Sequence, residues 1–219
     1  MTQSMRGKFI TLEGGEGVGK STQISALADA LRARGHAVVV TREPGGSPGA
    51  EAIRELLLHQ SADAWSPQTE ALLFAAARSD HVARVICPTL ERGEWVLCDR
   101  YIDSSRAYQG GAGGLSDDDI MALHRVGSGG LLPDRTLLLT VNSAATSSRR
   151  AARQLARPDR FEERQSMFHD RVNASFMAMA AQDPARFRII DASGTPEQVT
   201  ASLLSALDDL GSGLINSAN

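Results

Sequence analysis

A glycine-rich segment near the N-terminus has the composition of a polyphosphate-binding loop. Its residues are Gly14, Gly15, Glu16, Gly17, Val18, Gly19, Lys20, Ser21 and Thr22. They fit the pattern of a glycine, four residues and Gly-Lys-Ser, in which inward-turned backbone N–H groups surround phosphate oxygens. Lys20 is then expected to reach the β- and γ-phosphates, and the Ser21 hydroxyl to bind Mg²⁺. A chance glycine-rich turn is the alternative, which the apolar run before the segment and the helical pattern after it disfavour.

A carboxylate closes the apolar run of residues 95–98. Ligands of parallel sheets gather at the carboxyl ends of the strands, so Asp99 is expected to face the phosphates. There it could hold Mg²⁺, directly or through water, or orient the attacking group. An aspartate that only caps a turn is the alternative.

The distribution of arginines favours phosphoryl transfer between two nucleotides. That reaction needs positive charge at the acceptor phosphate and at the moving phosphoryl group. Arg42 and Arg100 each follow an apolar run, Arg54 lies one helical pattern onward, and Arg78 lies within a long one. Five more arginines crowd one segment, namely Arg149, Arg150, Arg153, Arg157 and Arg160. Any one of them taken alone is more often a solvated surface charge.

Five apolar runs indicate the strands that would position these groups. The runs are residues 8–12, 37–41, 95–99, 135–141 and 186–191. They are continuous rather than alternating and are separated by helical patterns, which is typical of buried parallel strands. We predict an α/β fold of the P-loop NTPase type, with a doubly wound five-stranded parallel sheet, helices on both faces and a small mobile lid. Residues 109–114 are predicted to be a flexible connector, and residues 67–88 a long helix.

The composition fits one soluble domain. The chain has 219 residues, 42% of them hydrophobic, and a net charge of −3, which provides no overall basic field for nucleic acid. Cys87 and Cys98 are too few for a disulfide framework and are interpreted as reduced, buried thiols. No apolar run approaches the ~20 residues that span a bilayer. We expect a single domain over 1–210 with its lid at about 147–164, a flexible tail over 211–219, a cytoplasmic location, and neither nucleic acid nor membrane as a partner.

The chain resembles bacterial thymidylate kinases in several blocks. TREPGG at 41–46, FAAARSDH at 74–81 and DRYIDSSRAYQG at 99–110 follow LEGGEGVGKST in the order of that family. The resemblance runs from about Lys8 to about Leu210. It implies transfer of the γ-phosphoryl group of ATP to dTMP, giving dTDP and ADP, with Mg²⁺ as the cofactor. It also implies a homodimer formed through helices.

The same resemblance implies a set of residues that contact dTMP. The set comprises Glu16, Glu43, Arg54, Phe74, Arg78, Arg100, Ser104, Ser105, Tyr108 and Gln109. Phe74 would stack on thymine, with ordinary helix core as the alternative. Arg78 and Gln109 would hydrogen-bond the edge of the base, and Arg54 and Arg100 would grip the 5′-phosphate.

The remaining members of the set would surround the sugar and the phosphate. Tyr108 would lie beside the deoxyribose and Glu16 near the sugar hydroxyl. Ser104 and Ser105 would lie near phosphate and base, unless they cap the helix after Asp99. The resemblance also implies a cis peptide bond between Glu43 and Pro44.

Within the resembling family, the catalytic arginine comes either from the phosphate loop or from the lid. Gly17 follows Glu16 here, so the loop supplies none, and the lid is rich in arginine. Arg153 is the first candidate for the residue that reaches the transferred phosphoryl group, and Arg157 is the second. With Lys20, Arg100 and Asp99, these two complete the expected catalytic set.

Two other functions stay open at this level. One is a different small P-loop kinase, acting on a nucleoside or another nucleoside monophosphate. The other is a P-loop switch or an ATP-dependent sensor that binds a partner protein. The residues after the fourth apolar run, 142–145, read NSAA and lack the lysine and the carboxylate of a guanine-reading motif, which disfavours a GTPase switch.

Overall fold

A computed structural model describes residues 6–58, 64–141 and 160–211, with side chains from 167 to 210 in the last range. Its centre is one sheet of five parallel strands in the order β2-β3-β1-β4-β5. The strands are β1 (Phe9–Glu13), β2 (Val38–Arg42), β3 (Trp95–Asp99), β4 (Arg135–Thr140) and β5 (Phe187–Asp191). All five predicted strands are confirmed, as is the doubly wound order, in which β1 is central, β3 and β2 lie on one side of it, and β4 and β5 lie on the other.

Helices connect the strands. They are α1 (Lys20–Ala33), α2 (Pro48–Leu58), α3 (Pro67–His81), α4 (Cys87–Glu91), α5 (Ile102–Ser105), α6 (Asp117–Ser128), α7 (Arg160–Gln182), α8 (Pro196–Ser205) and α9 (Asp208–Gly211). Several begin at a side-chain cap, since the hydroxyls of Ser66, Ser116 and Thr195 accept hydrogen bonds from backbone N–H groups of α3, α6 and α8. Helix α1 is different, because it begins after Gly19 with no side-chain cap.

The core lies on both faces of the sheet, because alternate strand residues point to opposite sides. Ile10 and Leu12 pack with α1 and α8 on one face, and Phe9 packs with residues of α3, α4 and α6 on the other. A third cluster on that second face joins Leu138 to α7. Helices therefore cover both faces, as predicted.

Strand β2 differs from the prediction of a buried strand. It lies at an edge of the sheet and is only partly buried, with Val40 40% exposed. The run of valines has the composition of a central strand, but strand order is not visible in such a run. Cys98 is fully buried as expected, whereas the thiol of Cys87 is only partly buried.

The prediction of a flexible connector over 109–114 is also wrong. Helix α5 continues without a break into a π-helical stretch, Arg106–Ala112, which packs against α7. Glycine content suggested a loop, but tertiary packing holds the segment in a helix. The long helix predicted over 67–88 exists and extends to Glu91, passing through a second π-helical stretch at Val82–Ile86.

Two predicted segments lie largely outside the described residues. Of the lid expected at 147–164, residues 147–159 are not described, and 160–164 form the start of α7. Of the tail, 212–219 are not described, and Gly211 closes α9. Within the described ranges, no helix is both long enough and apolar enough to cross a membrane.

Candidate active site

The glycine-rich loop connects β1 to α1 at the carboxyl edge of the sheet. Gly14, Gly17 and Gly19 have φ values of 135°, 72° and 96°, which disfavour any residue with a side chain. A Cβ on Gly14 would also lie 2.4 Å from the carbonyl oxygen of Leu139. Because α1 has no side-chain cap, its first N–H groups remain available to an anion. The strand, loop and helix that the phosphate-loop interpretation requires are therefore present.

Lys20 curls over the loop that precedes it. Its Nζ donates to the carbonyl oxygens of Gly14 and Gly15 at 3.1 and 2.7 Å. Burial, and after it the positive charge of Arg100, lowers the pKa of Lys20 to about 8. Two cations that repel each other across this space form a natural position for an anion. Glu16, Ser21 and Thr22 are exposed on the same loop and helix start.

Asp99 lies beside the loop, at the end of β3. The register pairs it with Leu12 of β1, two residues before Gly14. Its Oδ1 is buried and has no hydrogen-bond partner among the described residues. A turn-capping aspartate would accept bonds from its turn, so this arrangement favours an aspartate that awaits a cation or a donor group.

Arg100 turns back toward the loop through an unusual backbone conformation. Its φ is 68°, in the left-handed region that residues with a side chain rarely adopt. The guanidinium donates from Nη1 to Ser104 Oγ at 3.1 Å and from Nη2 to the Tyr108 hydroxyl at 3.2 Å. Ser104 therefore lies inside α5 as a partner of Arg100 and is not a cap.

Glu13 is a functional candidate that sequence reasoning missed. It is fully buried at the end of β1, where Oε1 accepts from the Tyr101 N–H at 2.8 Å and Oε2 from Ser104 Oγ at 2.6 Å. Burial, and after it the negative charge of Asp103, raises the pKa of Glu13 to about 8. The signal was a carboxyl group that ends an otherwise apolar strand, since a buried carboxyl requires partners.

A second wall of the site is a buried polar cluster between β2 and α3. Arg78 donates from Nε to Glu43 Oε2 at 2.8 Å and from Nη2 to Ser105 Oγ at 2.9 Å. His81 meets the other oxygen of Glu43 at 3.0 Å. Ser105 is thus a partner of Arg78 and does not cap α5. The bond between Glu43 and Pro44 is cis.

Phe74 lies one helical turn before Arg78, on the same face of α3. It is partly exposed and belongs to none of the three buried core clusters. The alternative of ordinary helix core therefore does not describe its position.

Other predicted residues already bind protein groups. Arg54 Nη1 donates to the carbonyl oxygen of Pro44 at 2.5 Å, and Gln109 Nε2 donates to Glu70 Oε1 at 2.7 Å. The ring of Tyr108 lies 5.0 Å from the guanidinium carbon of Arg100. Arg42, by contrast, points to an exposed pair with Glu51. Arg153 and Arg157 lie outside the described residues.

A cleft that is open to solvent adjoins the loop on the side that faces the end of β5. It lies between the loop with the start of α1 and the segment from β5 into α8. The lining residues are Gly17, Val18, Gly19, Thr22, Gln23, Ala192, Gly194, Pro196 and Val199. Sequence reasoning missed its far wall, although Gly194 follows the last strand at the edge where ligands of such sheets bind.

Comparison with known proteins gives matches over nearly the whole chain. The thymidylate kinase family model matches residues 12–203. A curated thymidylate kinase from Rhizorhabdus wittichii is 63% identical over 94% of this chain and 99% of its own length. Another, from Caulobacter vibrioides, is 52% identical over 93% of this chain and 95% of its own length. A crystal structure of thymidylate kinase from Ehrlichia chaffeensis superposes with a TM-score of 0.75 at 31% identity, covering 92% of this chain and 98% of that one.

Proposed function

The chain belongs to the thymidylate kinase family, and we propose that it transfers the γ-phosphoryl group of ATP to dTMP, giving dTDP and ADP. One observation carries the proposal for these residues. Arg100 of the opposite wall lies close enough to Lys20 of the phosphate loop for its positive charge to add to the effect of burial in lowering the pKa of Lys20. A phosphoryl group passing between two nucleotides needs cations on both sides of its path.

The donor half of the site is the glycine-rich loop. Residues 14–22 would hold the phosphates of ATP through backbone N–H groups, with Lys20 on the β- and γ-phosphates. The cleft that extends toward Gly194 and Pro196 would receive the adenosine end of ATP, since it opens directly beside the phosphate loop.

Mg²⁺ fits the residues present. The exposed hydroxyl of Ser21 and the unpartnered Oδ1 of Asp99 are the groups that would hold it, directly or through water. When bound, the ion neutralises negative charge on the polyphosphate.

The acceptor half lies between α3 and the segment 100–109. Arg54 and Arg100 would bind the 5′-phosphate of dTMP, with Ser104 supporting Arg100. Phe74 would stack on thymine, and Arg78, Ser105 and Gln109 would face the edge of the base. The sugar would lie against Tyr108, near Glu16, and Glu43 would act on the base through Arg78.

Catalysis in this arrangement is mainly alignment and charge neutralisation. The acceptor phosphate is already anionic at neutral pH, so no strong general base is required. A lid over about 147–164 would close on the bound nucleotides and exclude water, bringing Arg153, or else Arg157, to the moving phosphoryl group. The lid and the nucleotide sites would belong to one domain over 1–210. The cytoplasm, where both ATP and nucleoside monophosphates are present, is the proposed location.

A homodimer is the proposed assembly. Support comes from large apolar side chains that are exposed on three neighbouring helices, of which α3 packs against both α2 and α6. They are Leu56 and Leu58 of α2, Leu72 of α3 and Val126 of α6. Exposed apolar side chains in such numbers on neighbouring helices are typical of a surface that another copy covers. Light scattering of the purified chain should give twice its mass of 23.3 kDa, and Leu72→Glu should reduce it to the single mass.

The test of the activity is an acceptor panel. ADP release from ATP is measured with dTMP, dUMP, dCMP, dGMP and dAMP in parallel, and the highest kcat/KM is expected for dTMP. Preference for another monophosphate would assign a different small kinase. Slow hydrolysis with no dependence on any acceptor would instead indicate a switch or sensor protein.

A further inference from the structure

We propose that Thr41 and His81 are positioning residues for recognition of the acceptor base, acting through Glu43 to set the orientation of Arg78. Neither residue is expected to touch a nucleotide. The inference rests on the proposed function, because Arg78 is the side chain that would meet the thymine edge.

Glu43 and Arg78 form a buried ion pair. Both side chains are only 3% exposed, and the bond from Arg78 Nε to Glu43 Oε2 is 2.8 Å long. A buried cation of this kind is held where its carboxylate lies, since leaving that partner would expose an unpaired charge to the interior. The position of the Glu43 carboxylate therefore determines the position of the guanidinium.

His81 holds the carboxylate of Glu43 through a hydrogen bond. The Nδ1 atom of His81, a fully buried residue of α3, lies 3.0 Å from Glu43 Oε1. A carboxylate only accepts, so Nδ1 must carry the proton in this pair. In a ring that carries its proton on Nδ1 alone, Nε2 is free to accept, and Thr41 Oγ1 lies 2.7 Å from it.

The hydrogen bonds among these side chains all run in one direction, from donor to acceptor, toward Glu43. Thr41 donates to His81, His81 donates to one oxygen of Glu43, and Arg78 donates to the other. Each hydrogen bond fixes the rotation of the next group, which gives the four side chains one satisfied arrangement. Gly46 borders them closely, because a Cβ there would lie 2.4 Å from Thr41 Oγ1 and 2.5 Å from His81 Nε2.

The far end of Arg78 completes the orientation. Its Nη2 donates to Ser105 Oγ at 2.9 Å, and its guanidinium carbon lies 5.2 Å from the centre of the Tyr101 ring. With Nε and Nη2 engaged, Nη1 is the nitrogen for which the described residues provide no hydrogen-bond partner. That nitrogen can meet a carbonyl oxygen of the base only while the guanidinium plane keeps its angle. The four linked side chains hold that angle.

Two substitutions of His81 separate positioning from packing. In His81→Asn the side-chain amide occupies roughly the place of Nδ1 and can still donate to Glu43, whereas in His81→Gln it reaches the place of Nε2 and cannot. We expect His81→Gln to raise the KM for dTMP about 10-fold, with ATP changed by less than about twofold, as for loss of one hydrogen bond to a charged group. The preference for dTMP over dCMP should fall by a similar factor, and His81→Asn should restore most of both values.

A purely structural role gives a different outcome. It predicts that both His81 variants raise the KM for ATP and for dTMP together, in proportion to their loss of thermal stability, and that result would overturn the proposal. Two fully active variants with unchanged KM for dTMP would overturn it as well.

Two substitutions of Thr41 test the same linkage independently, in case the His81 variants do not fold. Thr41→Val removes the hydroxyl with little change in shape, and Thr41→Ser keeps it. A rise of about threefold or more in the KM for dTMP with valine, and not with serine, supports the linkage. Equal values for the two variants contradict it.

Failure of the proposed activity would appear in the wild-type protein, which would then not use dTMP at all. The linkage is still tested in that case, because nitrogen NMR of the ligand-free protein reports the tautomer of His81. A proton on Nδ1 supports the proposal, and a proton on Nε2 alone overturns it.

Discussion

The half of the site proposed for the donor, ATP, presents backbone, whereas the half proposed for the acceptor, dTMP, presents side chains that already bind one another. The loop between β1 and α1 offers N–H groups and an uncapped helix start, and Lys20 closes on its own carbonyl oxygens at 3.1 and 2.7 Å. Across from it, Arg78 and Arg100 are each held by two hydrogen bonds to other side chains. One half therefore exposes main-chain groups, and the other holds its cations through contacts between side chains.

The proposed task of each half accounts for this difference. A polyphosphate is recognised by charge, which any inward-pointing N–H group can satisfy. A base and a monophosphate must be told apart from close analogues, and that requires donors whose angles do not vary. Pre-set donors cost less ordering when the ligand binds.

Removal of Lys20 should have the largest effect, since it takes the main cation from the donor side. We expect Lys20→Ala to lower kcat about 100- to 1,000-fold, the usual cost of deleting a group that stabilises developing charge. The chain has only one other lysine, Lys8, so Lys8→Ala is the matched control and should behave as the wild type. Unchanged turnover in Lys20→Ala, with an intact fold by circular dichroism, would remove the loop from the chemistry.

A substitution of Arg153 tests whether the moving phosphoryl group also needs a third cation, one that belongs to neither half. Arg153→Ala is expected to depress kcat about 100-fold while the KM for dTMP changes little. Arg157→Ala serves as the comparison and should have the smaller effect. Steady-state kinetics with dTMP varied would show an effect on KM alone if Arg153 were only a binding residue.

Phe74 tests how independent the two halves are. Phe74→Ala should raise the KM for dTMP about 10-fold through lost stacking area, and leave the KM for ATP unchanged. Phe74→Tyr, which keeps the ring, is the control. Equal losses for both nucleotides would mean that the substitution disturbs α3 as a whole, and the division between the halves would not hold.

The smallest expected effect concerns acid stability behind the acceptor side. Burial, and after it the positive charge of Arg78, lowers the pKa of His124 to about 4, and its ring lies against that of Tyr101. Between pH 6.5 and 4 the unfolded chain therefore binds more protons at this residue than the folded one. The free energy of unfolding should fall across that range as the pH is lowered, by on the order of 1–2 kcal/mol from this group.

His124→Gln is the variant that isolates this contribution. It can still donate to the carbonyl oxygen of Leu131, which His124 Nε2 contacts at 2.9 Å, but it does not titrate. Urea unfolding at pH 7 and pH 5 should show a smaller difference for the variant than for the wild type. A difference of the same size in both would assign the acid sensitivity to other groups.

The backbone-built half was the one that could be predicted from sequence. Its residues are contiguous, so one pattern locates Gly14 to Thr22, and the strand-end rule locates Asp99 and Arg100. The strands were found because central parallel strands are continuous apolar runs, and the family that the motif blocks indicated is confirmed by the matches.

The side-chain half was only partly predictable. Glu13 binds Tyr101, 88 positions away, and Arg78 binds Glu43, 35 positions away. Such pairings are created by the strand order, which no local pattern contains. The same reason explains why β2 was wrongly predicted to be buried, since its valines do not reveal that it lies at an edge. It also explains the wrong prediction for 109–114, whose helix depends on contact with α7.

The buried carboxyl of Glu13 has a consequence for protein engineering. It ends β1 immediately before the phosphate loop, yet its bonds go to Tyr101 and Ser104 in the opposite wall. A chimera could take its first strand and loop from one relative and its 99–110 block from another. The residue at position 13 would then come from one parent and its hydrogen-bond donors at positions 101 and 104 from the other. Donors for such hybrids are therefore best chosen by the pairing at positions 13 and 104 first, and by overall identity second.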